Sequence, residues 1–169
     1  SPSRGLGDVY KRQVQRTYLQ RVIEAANDRL AIMTDSQFVL KTKGDKKYKK
    51  NDYLDLEVTD LYTGKDRDVK SLSGGEKFMT SLALALGFSD VIQQNAGGIQ
   101  LDSMFIDEGF GTLDSETLEQ ALRLLDQLST NSNTLVGIIS HVEELKNRIP
   151  QQIVVSKDLN GSSLEVVIK

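Results

Sequence analysis

The chain has 169 residues, a formal net charge of -3 and 38% hydrophobic residues, enough for one domain with a buried core. It holds no cysteine and one histidine, which excludes a disulfide framework and a Cys-based metal site and leaves a zinc hydrolase too few ligands. No apolar run reaches membrane-spanning length and no stretch reads as a signal-peptide core; the mild acidity does not mark a nucleic-acid binder, though it leaves room for a local basic patch.

Residues 1–13 show no clear apolar periodicity and read as a foreign leader joined to a piece of a longer protein. The pattern then becomes helical. Val14, Tyr18, Val22, Ala26, Leu30 and Met33 recur at spacings of four and three, which predicts a helix over 14–33 with one apolar stripe. Such a stripe packs on a domain or continues as a coiled coil. Gln37–Leu40 and Tyr53–Val58 are strand-like. Between them, residues 41–50 carry six lysines, which read as a solvated hairpin tip protecting a sheet edge or, alternatively, as a phosphate-contacting patch.

Leu61 to Lys70 is expected to be a polar loop. Next comes Ser71-Leu72-Ser73-Gly74-Gly75-Glu76-Lys77, followed by an apolar helix through Phe78, Leu82, Ala85 and Leu86. Ser73 and Glu76 have the spacing of a capping box. A glycine-rich loop feeding a helix N-terminus presents free N–H groups that suit a phosphate oxygen. The plainer reading is a capped helix. Two glycines in a first turn cost about 1 kcal/mol each against alanine, so close approach of the backbone to a ligand is the expected reason for them.

Leu101 to Glu108 is an apolar run ending in two acids, Asp107 and Glu108. It reads as a strand buried on both faces. Ligands of open α/β sheets sit beyond the carboxyl ends of the strands, where these acids fall. One carboxylate there can hold Mg²⁺ through water, and its neighbour can orient or deprotonate an attacking water. An ordinary strand that ends in a polar turn is the competing reading. Gly109-Phe110-Gly111-Thr112-Leu113-Asp114 follows, and its two glycines again suggest tight backbone approach. Ser115 to Leu128 is a helix with a stripe at Leu118, Ala121, Leu122, Leu125 and Leu128. Thr134 to Ser140 is a second buried strand, ending at His141. Strand, helix and strand imply a right-handed parallel crossover, which would bring His141 to the same sheet edge as Asp107 and Glu108. Val142–Arg148 is a short helix. Two strands, 152–157 and 163–168, flank Asn160-Gly161, the signal for a type I′ hairpin.

The ordered set Leu72-Ser73-Gly74-Gly75-Glu76, the strand ending Asp107-Glu108, Gly109 to Asp114, and Ser140-His141 resembles the C-terminal lobe of an ABC-type ATPase head: signature motif, Walker B, D-loop and switch histidine. The wording of Glu108 to Asp114 and of Ser71 to Glu76 is similar to that of the bacterial SbcC family, among the SMC-like DNA double-strand-break repair ATPases. The resemblance runs from about Tyr18 to near the end of the chain.

It implies an α/β fold of parallel strands with flanking helices, plus a helix from a coiled coil over 14–33 and a C-terminal β-hairpin, with 34–169 as the C-terminal lobe. It implies ATP and Mg²⁺ as cofactors. Ser73 and the backbone of Gly74 and Gly75 would bind the γ-phosphate of ATP held by the opposite subunit. Asp107 would support Mg²⁺ through water, Glu108 would be the general base, and His141 would contact the γ-phosphate. Gly111 and Asp114 would lie at the dimer interface. The implied partners are the N-terminal lobe of the full-length chain, a second copy in an ATP-dependent homodimer, an SbcD-like nuclease subunit and DNA, with no membrane and a cytoplasmic, nucleoid-associated setting. A phosphate-cradling Gly-x-x-x-x-Gly-Lys-Ser/Thr loop is absent from the sequence, so the chain alone is expected to be inactive. Two other functions remain open: a transporter ATPase subunit, and a non-catalytic interaction module with an ATPase-like fold.

Overall fold

The computed structural model describes residues 3–43, 55–95, 102–132 and 134–169. The lysine-rich tip after Lys43 lies outside the described residues. The elements in order are α1 (Ser3–Met33), β1 (Phe38–Thr42), β2 (Leu56–Asp60), β3 (Lys65–Asp68), α2 (Gly74–Asn95), β4 (Ser103–Asp107), α3 (Ser115–Ser132), β5 (Leu135–Ile139), α4 (Glu143–Arg148), β6 (Gln151–Asp158) and β7 (Gly161–Ile168).

The core is helical at its centre. Val22, Ala26, Leu30 and Met33 of α1 are buried, as their spacing predicts. Ala26, Leu30 and Met33 meet Leu82, Ala83 and Leu86 of α2 and Leu118, Ala121, Leu124 and Leu125 of α3 in one cluster. α1 and α2 approach so closely at Gly87 that a Cβ there would lie 2.6 Å from both Ala26 N and Val22 O. Tyr18 meets Phe88 edge to face at a centroid distance of 6.1 Å, and Arg29 pairs with Asp90 at 2.9 Å. The helix begins at Ser3, so it continues through residues expected to be a patternless leader. Val9 and Tyr10 on that extension are exposed, and so is Val14, the first residue of the expected stripe, which starts to pack only near Tyr18.

The N-terminal sheet has the order β1-β2-β3, all antiparallel. Asn27 on α1 holds its outer edge: Nδ2 donates to Leu40 O at 2.9 Å, and Leu40 N donates to Oδ1 at 2.8 Å. β3 corrects the expectation of a polar loop over 61–70. Lys65-Asp66-Arg67-Asp68 has no apolar residue to signal a strand, but its acids pair with lysines two strands away. Lys41 meets Asp66 at 2.8 Å, and Lys43 contacts Asp68.

β4 and β5 are parallel neighbours joined through α3, with Ser103 opposite Leu135 and Asp107 opposite Ile139. Burial differs from expectation. Met104 and Ile106 face the helices and are half-buried, whereas Phe105, Leu135 and Ile139 are exposed on the other face. Among the described residues, helices cover one side of this sheet only. The Phe105 ring lies over Gly137, where a Cβ would come within 2.6 Å of it. The β6-β7 hairpin is also bare on one side: the register aligns Ile153 with Val166 and Val155 with Leu164, and all four are exposed. Its turn is not type I′. Asp158 pairs with Gly161, so Leu159 and Asn160 are the central residues, and neither has positive φ. Asn160 N donates to Asp158 Oδ1 at 2.7 Å, and Gly161 follows at φ +130°. The local side-chain bond supplies the turn that Asn-Gly was expected to make.

Candidate active site

The two parallel strands deliver their last residues to one edge, as the crossover predicts. Asp107 ends β4 opposite Ile139, which ends β5. Glu108 N donates to Ile139 O at 2.9 Å, extending the pairing by one bond. There the chain turns sharply: Glu108 has φ +59° and Gly109 φ +95°. A non-glycine residue in the left-handed region is uncommon and carries strain held by its surroundings. The turn throws the Glu108 carboxylate across to β5, where His141 Nδ1 lies 3.2 Å from Oε1 and 3.1 Å from Oε2. Both side chains are largely open to solvent. With Nδ1–H donating to the carboxylate, the imidazole is oriented and its Nε2 faces away from Glu108.

Beyond Gly109 the chain makes a 3₁₀ turn over Phe110–Thr112. Phe110 is buried and packs against Phe78 of α2 with ring centroids 4.7 Å apart and planes tilted by 60°. Gly109 is required there, since a Cβ would fall 2.2 Å from Phe78 Cδ2. Gly111 is under no such constraint: its Cβ would meet only Val142 Cγ2, at 3.5 Å. Asp114 caps α3, accepting from Thr117 N at 2.8 Å, and that bond holds its carboxyl below the usual range.

The glycine-rich loop has the predicted capping box. Ser73 N donates to Glu76 Oε2 at 2.7 Å, and Glu76 N donates to Ser73 Oγ at 3.3 Å. Gly74 and Gly75 open α2. They lie against the 3₁₀ turn: a Cβ on Gly75 would sit 2.9 Å from Thr112 O, and one on Gly74 would be 3.3 Å from Thr112 Cγ2. Close backbone approach is therefore real, and one partner in it is Thr112 of the same chain. The fold thus brings Ser73, Gly74 and Gly75 against the loop that carries Gly111 and Asp114, and brings Glu108 to His141. Arg67 was missed from sequence because β3 was. Its guanidinium grips Glu76 through two parallel bonds, at 2.9 and 3.1 Å. Burial alone would raise the Glu76 carboxyl, but the Arg67 and Ser73 N–H bonds outweigh it and hold the group below its usual range.

Among the described residues no three His, Cys, Asp or Glu side chains gather as a metal cage. Mg²⁺ needs no such cage, since it takes one or two carboxylates together with water and substrate phosphate oxygens. Asp107 stands exposed at the end of β4, and its carboxylate is a donor of that kind. No helix among the described residues is long and apolar enough to cross a membrane.

A family model described as SbcC/RAD50-like, Walker B motif, matches residues 47–127. The SbcC component of the SbcCD nuclease of Staphylococcus aureus strain JH9 is 51% identical over 146 residues, 86% of this chain and 14% of that protein. The chain therefore spans about one-seventh of the curated relatives it matches. Among solved structures, one described as structural biochemistry of ATP-driven dimerization and DNA-stimulated activation of SMC ATPases superposes with TM-score 0.66 at 15% identity, over 92% of this chain and 89% of that one. The SMC head domain from Thermotoga maritima gives 0.57 at 21% identity, over 92% and 51%. The likeness to SbcC read from the motifs holds, and the fold is that of SMC-type ATPase heads.

Proposed function

We propose that this SbcC-like chain is the C-terminal half of the ATP-hydrolysing head of a DNA repair ATPase that controls a partner nuclease acting on DNA ends and hairpins. The observation that carries the reading is Glu108 held against His141 at the ends of two parallel strands. In this reading Glu108 is the general base: its carboxylate accepts a proton from the attacking water. His141, oriented by Glu108, meets the γ-phosphate through Nε2. A phosphate contact there requires an N–H at Nε2. Asp107 would hold Mg²⁺ through water; when bound, the ion neutralises charge on the phosphate oxygens. Ser73 Oγ and the N–H groups of Gly74 and Gly75 bind the γ-phosphate of ATP on an opposing head, aided by the positive end of α2.

The proposed partners are the N-terminal lobe that grips the triphosphate, a second copy in an ATP-dependent dimer with Gly111 and Asp114 at the interface, an SbcD-like nuclease subunit and DNA. The bare faces bearing Phe105, Leu135 and Ile139 and the hairpin residues Ile153, Val155, Leu164 and Val166 support docking of the N-terminal lobe. The proposed setting is the nucleoid-associated cytoplasm.

The test is ATP hydrolysis by the chain alone and mixed with the N-terminal lobe. Silence alone and turnover on mixing are expected. Glu108→Gln should lower turnover by about 10²- to 10⁴-fold while ATP-dependent head association persists. Ser73→Arg should abolish both. Hydrolysis by the chain alone would overturn the two-lobe reading, and a near wild-type rate with Glu108→Gln would overturn the assignment of the base.

A further inference from the structure

Arg67 touches none of the groups given a chemical role above, yet it holds the loop that three of them occupy. It stands on β3 opposite Val58, which is fully buried, so its stem runs along the core side of the sheet. Nη1 donates to Glu76 Oε1 at 2.9 Å and Nη2 to Glu76 Oε2 at 3.1 Å. Nη2 also donates to Ser71 O at 3.1 Å. Glu76 Oε2 in turn accepts from Ser73 N at 2.7 Å. One planar fork therefore fastens both ends of the segment from Ser71 to Glu76. On either side of Arg67, Asp66 and Asp68 pair with Lys41 of β1 and Lys43 just beyond it, so the strand that carries the fork is itself fixed. The segment needs such a hold because Gly74 and Gly75 have no side chains to restrict it.

We infer that Arg67 is a positioning residue for the Ser73-Gly74-Gly75 loop, fixing through Glu76 the direction in which that loop presents its hydroxyl and N–H groups to a phosphate on the opposing head. This rests on the signature reading proposed above. The residue type matters: a guanidinium bonds a carboxylate through two parallel N–H groups and still reaches a third acceptor, which an ammonium cannot do in a fixed plane.

The experiment uses the complete protein, with ATP as the probe, and compares Arg67→Met, Arg67→Lys, Glu76→Gln, the double variant Arg67→Met/Glu76→Gln, and Ser73→Arg. Three quantities are read: ATP affinity of dissociated heads, ATP-dependent association, and kcat. Arg67→Met is expected to leave the first unchanged, weaken the second and lower kcat about 10- to 100-fold, the scale of a displaced binding group. Arg67→Lys stays impaired, because the charge without the fork does not hold the loop. The double variant is no worse than Arg67→Met alone. A lower melting temperature with association and kcat intact in Arg67→Met would overturn the inference and leave Arg67 a purely structural pair. If Ser73→Arg abolishes activity while Arg67→Met does not, only the role of Arg67 fails. If Ser73→Arg is also active, the signature reading itself has failed.

Discussion

Replacing Gly109 by alanine tests the geometry of the site without removing any group proposed to do chemistry. Two costs add. At φ +95° an L-residue pays about 1–2 kcal/mol that glycine does not. The new Cβ would also stand 2.2 Å from Phe78 Cδ2, and Phe78 cannot swing freely because its ring packs against the buried Phe110 ring. Overpacking of this kind costs about 1–3 kcal/mol. The expected loss is then about 2–5 kcal/mol, a large share of the 5–15 kcal/mol that holds a typical domain. Gly111→Ala is the internal control, since its Cβ meets only Val142 Cγ2 at an ordinary 3.5 Å. The assay is urea unfolding of the two variants and of Gly109→Ala combined with Phe78→Leu. Trimming the ring should return the steric part and leave the backbone part. Equal midpoints for Gly109→Ala and Gly111→Ala would refute the reasoning, because only one of the two glycines is needed for space and φ.

Asp114 has two roles to separate. Asp114→Ala should cost about 1 kcal/mol through loss of the α3 cap, whereas Asp114→Asn keeps an N-cap acceptor for Thr117 N and should stay near wild type in stability. Weak ATP-dependent association in Asp114→Asn at unchanged melting temperature would support the proposed interface role, and normal association would remove it. Stability should also fall on acidification. Asp66 and Asp68 are held low by Lys41 and Lys43. Asp114 is held low by Thr117 N–H; in Glu76 burial pulls upward but the Arg67 and Ser73 bonds win. Carboxyls with depressed folded-state values stabilise fully above their ordinary values of 3.8 for Asp and 4.5 for Glu, and that contribution is lost as pH falls below them. Urea midpoints measured from pH 7 to pH 3 should drop at the acid end, and a flat profile would contradict this.

The parts of the fold carried by periodicity were legible. The stripe from Val22 to Met33 and the α3 stripe from Leu118 to Leu125 are buried because a 3.6-residue repeat leaves a helix no other face to hide. The pairing of β4 with β5 followed from strand-helix-strand order, and with it the meeting of Glu108 and His141. β3 was not legible, since Lys65 to Asp68 are held by charges on β1 and α2 that are distant in sequence. Arg67 went with it. An alternating acid-base-acid run just before a glycine-rich cap was the one available signal. The glycines of the site were half legible: Gly74, Gly75 and Gly109 are closely approached, but by Thr112 and Phe78 of the same chain, which depends on tertiary packing, and Gly111 has ordinary room.

The burial of the β4-β5 sheet is where pattern and structure part most sharply. Apolar residues stand on both faces of these strands, as in sheets covered by helices twice over. Here the helices cover Met104 and Ile106, and nothing among the described residues covers Phe105, Leu135 or Ile139. Apolar surface left in water forgoes about 25 cal/mol for each Å² that burial would remove, so such a face stabilises a fold only when something lies on it. The hairpin repeats the pattern, placing Ile153, Val155, Leu164 and Val166 on one bare side and leaving Val154 and Val167 on the half-covered side. Two separate strand pairs thus carry composition for a cover, and Glu108 and His141 emerge at the end of one of them, β4-β5. In the function proposed above, a lobe seated on the bare β4-β5 face would approach the strand ends beside those two side chains, where a triphosphate gripped by the lobe would have to lie for Glu108 to act as base.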